Sequence, residues 1–140
     1  MRPALEAAGG SIDFWRIALR PGKPMMAGRL NGAVVLGLPG NPVSAFVTAF
    51  LFLRPLIATM SGALDPFPRT TTAILGEDLP ANDRRQDYLR AVTRDGRVFA
   101  AGVQDSSMLL TLARADCLIV RAPHAPALGA GEAVEILPFA

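Results

Sequence analysis

The run Leu38-Pro39-Gly40-Asn41-Pro42-Val43-Ser44-Ala45 constrains this chain more than any other segment. A buried-type strand runs into Pro-Gly, Asn41 stands where a helix cap is wanted, and Pro42 falls at the first helical position. There its fixed φ suits the helix and its missing N–H costs nothing. The residues that follow are apolar all round, so the pattern predicts a core helix from Pro42 to about Met60, closed by Ser61-Gly62. Strand, tight loop and helix together make an α/β unit. Within that helix the most apolar stretch, Val43 to Leu53, is 11 residues long, too short to cross a bilayer.

The segments around it carry their own punctuation. Pro3 to Ala8 reads as one or two helical turns stopped by Gly9-Gly10. Ile12 to Arg20 alternates and is expected as a strand, with Arg16 and Arg20 on one face about 13 Å apart at roughly 3.3 Å per residue. Arg20-Pro21-Gly22-Lys23-Pro24 places Pro-Gly at the centre of a type II turn. Met25 to Leu30 and Ala33 to Leu38 flank Asn31-Gly32, a hairpin signal. Asp65-Pro66-Phe67-Pro68 reads as a linker, and beyond it the grammar changes to short β runs: Thr70 to Leu75, Asp87 to Arg94, Arg97 to Val103, Cys117 to Ala122 and Ala133 to Leu137. Two units are expected, residues 1–64 with α/β character and residues 68–140 as a small all-β sandwich or barrel.

Composition bounds the function classes. Of 140 residues, 51% are hydrophobic and 19% charged, which supplies a core and excludes disorder. The net charge is +2, with 14 basic and 12 acidic side chains, too small an excess for a nucleic-acid footprint. An oligonucleotide-binding barrel is further weakened because residues 68–140 carry eight basic against nine acidic groups. The N-terminus lacks the apolar core of a signal peptide, so the cytoplasm is the expected location. The one cysteine, Cys117, excludes an intrachain disulfide and a thiolate metal cluster.

Three groupings could bind an anion. Arg16, Arg20 and Lys23 place cations at one strand end, although a solvated strand face has the same spacing. The helix start from Asn41 to Ser44 has the dipole and N–H groups that suit oxyanions, yet it reads equally as a capped core helix, and its loop is neither of the common phosphate-binding glycine patterns. Arg90 shares a strand face with Tyr88 and Val92 and could hold an oxyanion, which a β surface would also explain. Nothing in the sequence combines a nucleophile, a base and an orienting acid.

Taken in order, these motifs resemble one family. Phe14-Trp15-Arg16-Ile17-Ala18-Leu19-Arg20-Pro21-Gly22-Lys23-Pro24, then Gly37-Leu38-Pro39-Gly40-Asn41-Pro42-Val43-Ser44-Ala45, then Arg85-Gln86-Asp87-Tyr88-Leu89-Arg90 and Gly102-Val103-Gln104-Asp105-Ser106-Ser107-Met108-Leu109, followed by Leu112 to Val120, are similar to the C-terminal portion of the molybdopterin molybdenumtransferase family, which includes the E domain of gephyrin. The resemblance implies an incomplete molybdopterin-binding-like α/β subdomain followed by a barrel-like C-terminal subdomain. It also implies insertion of molybdate into adenylylated molybdopterin with release of AMP, in a homodimer using Mg²⁺. The matching positions it assigns to molybdate or substrate are Arg16, Arg20, Lys23, Pro24, Pro39, Asn41, Pro42, Ser44, Arg90 and Ser106. Arg16 and Arg20 stand where many relatives have Lys, which keeps the charge and changes its shape. The metal ligands of the family are expected upstream of this chain, which reads as a fragment inactive alone. The alternative from the same resemblance is a non-catalytic dimerisation or scaffold module.

Overall fold

The computed structural model describes residues 2–102 and 109–139. Helix α1, Arg2–Ala7, ends at the glycine pair, where the Gly10 N–H donates to the Leu5 carbonyl at 2.9 Å. Strands β1 (Ser11–Trp15), β3 (Met26–Leu30) and β4 (Ala33–Gly37) form an antiparallel sheet in the order β1-β3-β4. The β3–β4 hairpin closes through Asn31 and Gly32, both at positive φ (49° and 82°), as a type I′ turn requires.

The expected strand from Ile12 to Arg20 is broken in two. β1 stops at Trp15, Arg16 takes a left-handed φ of 70°, and the chain resumes as β2, Leu19–Arg20, in a different sheet. Alternation of residue types runs on through the break, although of Ile12 to Arg20 only Leu19 is buried. The turn that follows is not of type II: the Arg20–Pro21 peptide is cis, and the Met25 N–H donates to the Gly22 carbonyl at 3.2 Å.

The helix from Pro42 to Met60 is continuous over 19 residues. It comprises α2 (Pro42–Thr48), a wider π-helical turn over Ala49–Leu53, and α3 (Arg54–Met60). Pro55 accounts for the wide turn, since its ring cannot donate to the carbonyl four residues back and crowds it. By length and composition the whole helix is apolar enough to span a membrane, longer than the 11-residue stretch suggested. Its buried face nevertheless packs on protein.

Strands β5 (Thr71–Leu75), β6 (Gln86–Arg94), β7 (Arg97–Ala100), β8 (Cys117–Arg121) and β9 (Ala133–Pro138) run in the order β6-β7-β5-β9-β8, and pairing of β6 with β8 closes them into a barrel. Only β5 and β7 pair in parallel within it. A short helix, α4 (Leu109–Arg114), precedes β8; with one and a half turns and no cap signal it is not visible in the sequence pattern. Leu75, Leu79, Ala91, Val98, Cys117, Ile119, Val134 and Ile136 fill the barrel.

Among the described residues the halves meet at several places, α2 against α4 among them. β2 pairs in parallel with β6, Leu19 opposite Gln86 and Arg20 opposite Asp87, where β7, which meets β6 only from Ala91 onward, leaves it open. On another side, Val47 and Phe50 of the helix pack on Leu118 and Leu137 of the barrel. Phe139 stands edge-on to Phe46 and Phe50 at 5.3 and 5.4 Å. Each such buried apolar side chain contributes about 1.5–3 kcal/mol, so the seam is a core and not a loose docking.

Candidate anion-binding site

The Arg16-to-Pro24 segment owes its shape to backbone bonds and one close approach. The Arg16 N–H donates to the Met25 carbonyl at 3.0 Å and the Ile17 N–H to the Lys23 carbonyl at 3.1 Å, which pins the segment after the left-handed residue. A non-glycine residue held there costs on the order of 1–2 kcal/mol. Gly22, at φ 121°, lies against the helix so closely that a Cβ would stand 2.5 Å from Thr48 Cγ2. Thr48 is fully buried, and its hydroxyl donates to the Ser44 carbonyl at 2.7 Å. The fold thus sets the Lys23 turn on the helix one turn beyond Ser44. Lys23 and Pro24 remain exposed at its tip.

At the helix start, Asn41 accepts the Ser44 N–H at 3.1 Å through Oδ1, and its carbonyl accepts the Ala45 N–H at 2.8 Å. With Pro42 lacking an N–H, the first turn offers an anion fewer free donors than an uncapped helix would. Pro39 and Ser44 are buried, and Pro42 is exposed.

The three cations expected at one strand end are separated. Arg16 leaves the strand and its guanidinium lies 4.1 Å from the Trp15 ring centroid. Arg20 turns to the barrel mouth, where its Nε donates to Asp87 Oδ2 at 2.9 Å and its Nη2 donates to the same oxygen. Asn82 and Asp83 accept from the same guanidinium at 3.4 Å. Lys23 lies exposed on the turn.

The polar cluster that takes Arg20 was not singled out from the sequence. Asp87 alternates with Leu89 and Ala91 on β6, and a carboxylate in register with core residues is the signal that marks it. It is 2% exposed, and its Oδ1 has no hydrogen-bond partner among the described residues. Arg121, opposite Asp87 on β8, is 4% exposed and donates through Nη2 to the Pro80 carbonyl at 3.1 Å and to that of Pro126. Asp83 accepts the Arg85 side chain at 2.9 Å and the Arg85 N–H at 2.8 Å. These bonds, foremost the Arg85 side chain, hold its carboxyl down to about 2.

Arg90 is 1% exposed on β6, next but one to Tyr88, whose ring packs against the helix-side cluster. Burial raises the Tyr88 hydroxyl above its usual range. The remaining position, Ser106, lies outside the described residues. No three His, Cys, Asp or Glu side chains converge among the described residues into a set that could hold a metal ion.

A closed five-stranded barrel, joined through a shared seam to an α/β segment with a basic turn seated on a capped helix, defines the class of protein. Residues 72–139 match the family described as MoeA C-terminal region (domain IV), and residues 1–59 match a probable molybdopterin binding domain. A molybdopterin molybdenumtransferase of Haemophilus influenzae is 37% identical over 93% of this chain and 34% of its own length. One of Staphylococcus aureus is 28% identical over 94% of this chain and 32% of its own length. A molybdopterin biosynthesis MoeA protein from Pyrococcus horikoshii superposes with a TM-score of 0.83, at 24% identity, over 99% of this chain and 34% of that one. A molybdenum cofactor biosynthesis protein from Pyrococcus furiosus gives 0.78 at 24% identity, over 99% of this chain and 53% of that one. These two likenesses are of fold. The chain belongs to the molybdopterin molybdenumtransferase family, a transferase family of molybdenum cofactor biosynthesis, and matches its C-terminal portion. It spans about a third of the length of the curated relatives it matches.

Proposed function

We propose that this chain supplies the C-terminal part of a molybdate-insertion site, at which molybdate enters adenylylated molybdopterin and AMP is released. The observation that supports the reading is the seating of the Lys23 turn on the helix that carries Ser44, through Gly22 and Thr48. Both substrates are anions, so the chemistry asks the protein for positioning and charge stabilisation and not for a covalent nucleophile. In this reading Lys23, Pro24, Pro39, Asn41, Pro42 and Ser44 form the α/β side, Arg90 and Ser106 the barrel side, and Arg16 and Arg20 flank it. The working units are residues 1–64 and 68–140. Mg²⁺ is a further requirement, bound by groups other than the described residues. The complete enzyme acts as a cytoplasmic homodimer with small anionic substrates and has no nucleic-acid or membrane partner; residues 1–140 alone do not turn over.

Calorimetric titration of the purified chain with molybdate and with AMP tests the binding part. Saturable heats that disappear in Lys23→Ala and Arg90→Ala are expected, and no saturable heat in the unaltered chain overturns the reading. Supplying adenylylated molybdopterin, molybdate and Mg²⁺ tests the rest. AMP release at the rate of a complete family member would overturn the claim that residues 1–140 are inactive alone.

A further inference from the structure

Arg20 has acidic surroundings for a cation beside an anion site. Its guanidinium donates twice to Asp87 Oδ2, through Nε at 2.9 Å and through Nη2, and its outer nitrogens meet Asp83 and Asn82 at 3.4 Å. The cavity of about 440 Å³ that opens beside it is lined by Glu77 and Asp78 and otherwise, Arg20 apart, by uncharged residues. An oxyanion drawn to Arg20 would meet carboxylates on the same guanidinium and more across the cavity, and like charges at such range oppose it. The charge of Arg20 is already satisfied by the fold.

What the pair can do follows from its place in the chain. Arg20 lies inside a loop closed by the Ile17 N–H, which donates to the Lys23 carbonyl at 3.1 Å, so a displacement of Arg20 carries the base of the Lys23 turn with it. Asp87 stands on β6 three residues ahead of Arg90, roughly 10 Å along the strand. Between them, Arg20 and Asp87 are in register in a parallel ladder only two residues long. So few backbone bonds hold it weakly, and the side-chain pair is the larger part of the grip. Asp87 has little freedom to yield, since it is 2% exposed and opposite the buried Arg121. Asn82 stiffens the same rim: its Nδ2 donates to the carbonyls of Arg85, Arg121 and Ala122 at 2.8, 3.1 and 2.8 Å.

We propose that Asp87 and Arg20 are a positioning pair for the insertion site. Asp87, held by the barrel, grips Arg20 and so sets the Lys23 turn against the strand that bears Arg90, and Arg20 does not itself bind the oxyanion. The consequence for binding rests on the insertion reading; the grip on the Lys23 turn does not.

Calorimetric titration of the full chain with molybdate separates the two roles of Arg20 by sign. With Arg20 as a ligand, Asp87→Asn would remove a repelling charge and tighten molybdate. With the two as a positioning pair, Asp87→Asn and Arg20→Gln should each weaken it about tenfold, and the double variant should be no weaker than either. Val98→Ala, which opens a cavity inside the barrel, controls for lost stability and should leave the affinity unchanged. Tightened or unaltered binding in Asp87→Asn, or additive losses in the double variant, overturns the proposal. Lys23 is the single lysine of the chain, so ¹³C-lysine labelling gives one ε-carbon signal that reports the turn without any ligand. It should move in Asp87→Asn and in Arg20→Gln and stay in place in Val98→Ala. A parent chain that takes up no molybdate overturns the insertion reading, and the lysine signal then decides the pair alone: a signal that neither variant moves overturns it.

Discussion

Arg20 and Asp87 meet across the junction of the two halves, each at the end of a two-residue parallel pairing, with Nε and Nη2 of the guanidinium both donating to Oδ2 of the carboxylate. Asp87 is almost wholly buried, whereas the Arg20 side chain is 44% exposed, so the arginine is the partner that solvent can compensate. Asp87→Ala is therefore expected to cost about 1–3 kcal/mol. Urea denaturation checks it. Arg20→Ala should cost at least as much, because it leaves a buried carboxylate uncompensated.

Gly22→Ala tests the seating of the Lys23 turn. The added Cβ meets Thr48 Cγ2 at 2.5 Å and Leu19 Cδ2 at 3.0 Å, and overpacking of this kind costs about 1–3 kcal/mol. A lowered melting temperature is expected. Gly22→Ala with Thr48→Ser should recover part of it, since the clashing methyl is then absent.

Truncation of the helix-to-barrel seam should be more damaging. Phe50 is buried and sits edge-on to Phe139. Phe50→Ala is expected to cost about 3–5 kcal/mol, read from the shift in the denaturation midpoint at constant slope.

Cys117 predicts an alkaline limit to stability. Burial, reinforced by Asp116, pushes its thiol from 9.0 up to about 12. Between those values the unfolded chain loses a proton that the folded chain keeps, so stability falls as pH rises through this window. The decline should be smaller in Cys117→Ala, measured by urea denaturation at a series of pH values from 8 upward. In the unaltered chain the thiol should resist alkylation at neutral pH.

Asp83 acts at the other extreme. Its carboxyl is lowered from 3.8 to about 2 by Arg85 and Arg20. The folded state then holds fewer protons than the unfolded state as pH falls below 3.8, and the stability this group contributes is lost on the way down to about 2. Carboxyl chemical shifts followed by NMR should show the depressed titration, and Arg85→Gln should raise it.

Legibility in the sequence followed the range of the interactions. Asn41, Pro42, Asn31-Gly32 and Gly9-Gly10 were readable because caps and tight turns are decided by a few neighbouring residues. The β runs were readable from turn punctuation; the run expected from Arg97 to Val103 ends at Ala100, and Val103 itself lies outside the described residues. The Ile12-to-Arg20 segment misled because alternation of residue types does not record whether successive residues stay in one sheet, and β1 and β2 lie in two. Arg16 could not be foreseen at positive φ, since what holds it there is the pair of bonds to Met25 and Lys23. The same limit hid Asp87, whose partner Arg20 is 67 residues away in the chain.

The pairing of β2 with β6 bears on how this polypeptide can be divided. A protease cut or gene split at the Asp65-to-Pro68 stretch follows the composition change and falls between the two matched families. It would still strip Leu19 and Arg20 from the β6 edge and bare the carboxylate of Asp87. A barrel expressed from residue 68 onward inherits an unfinished rim, and a more faithful dissection would keep Leu19 and Arg20 with the piece they physically complete.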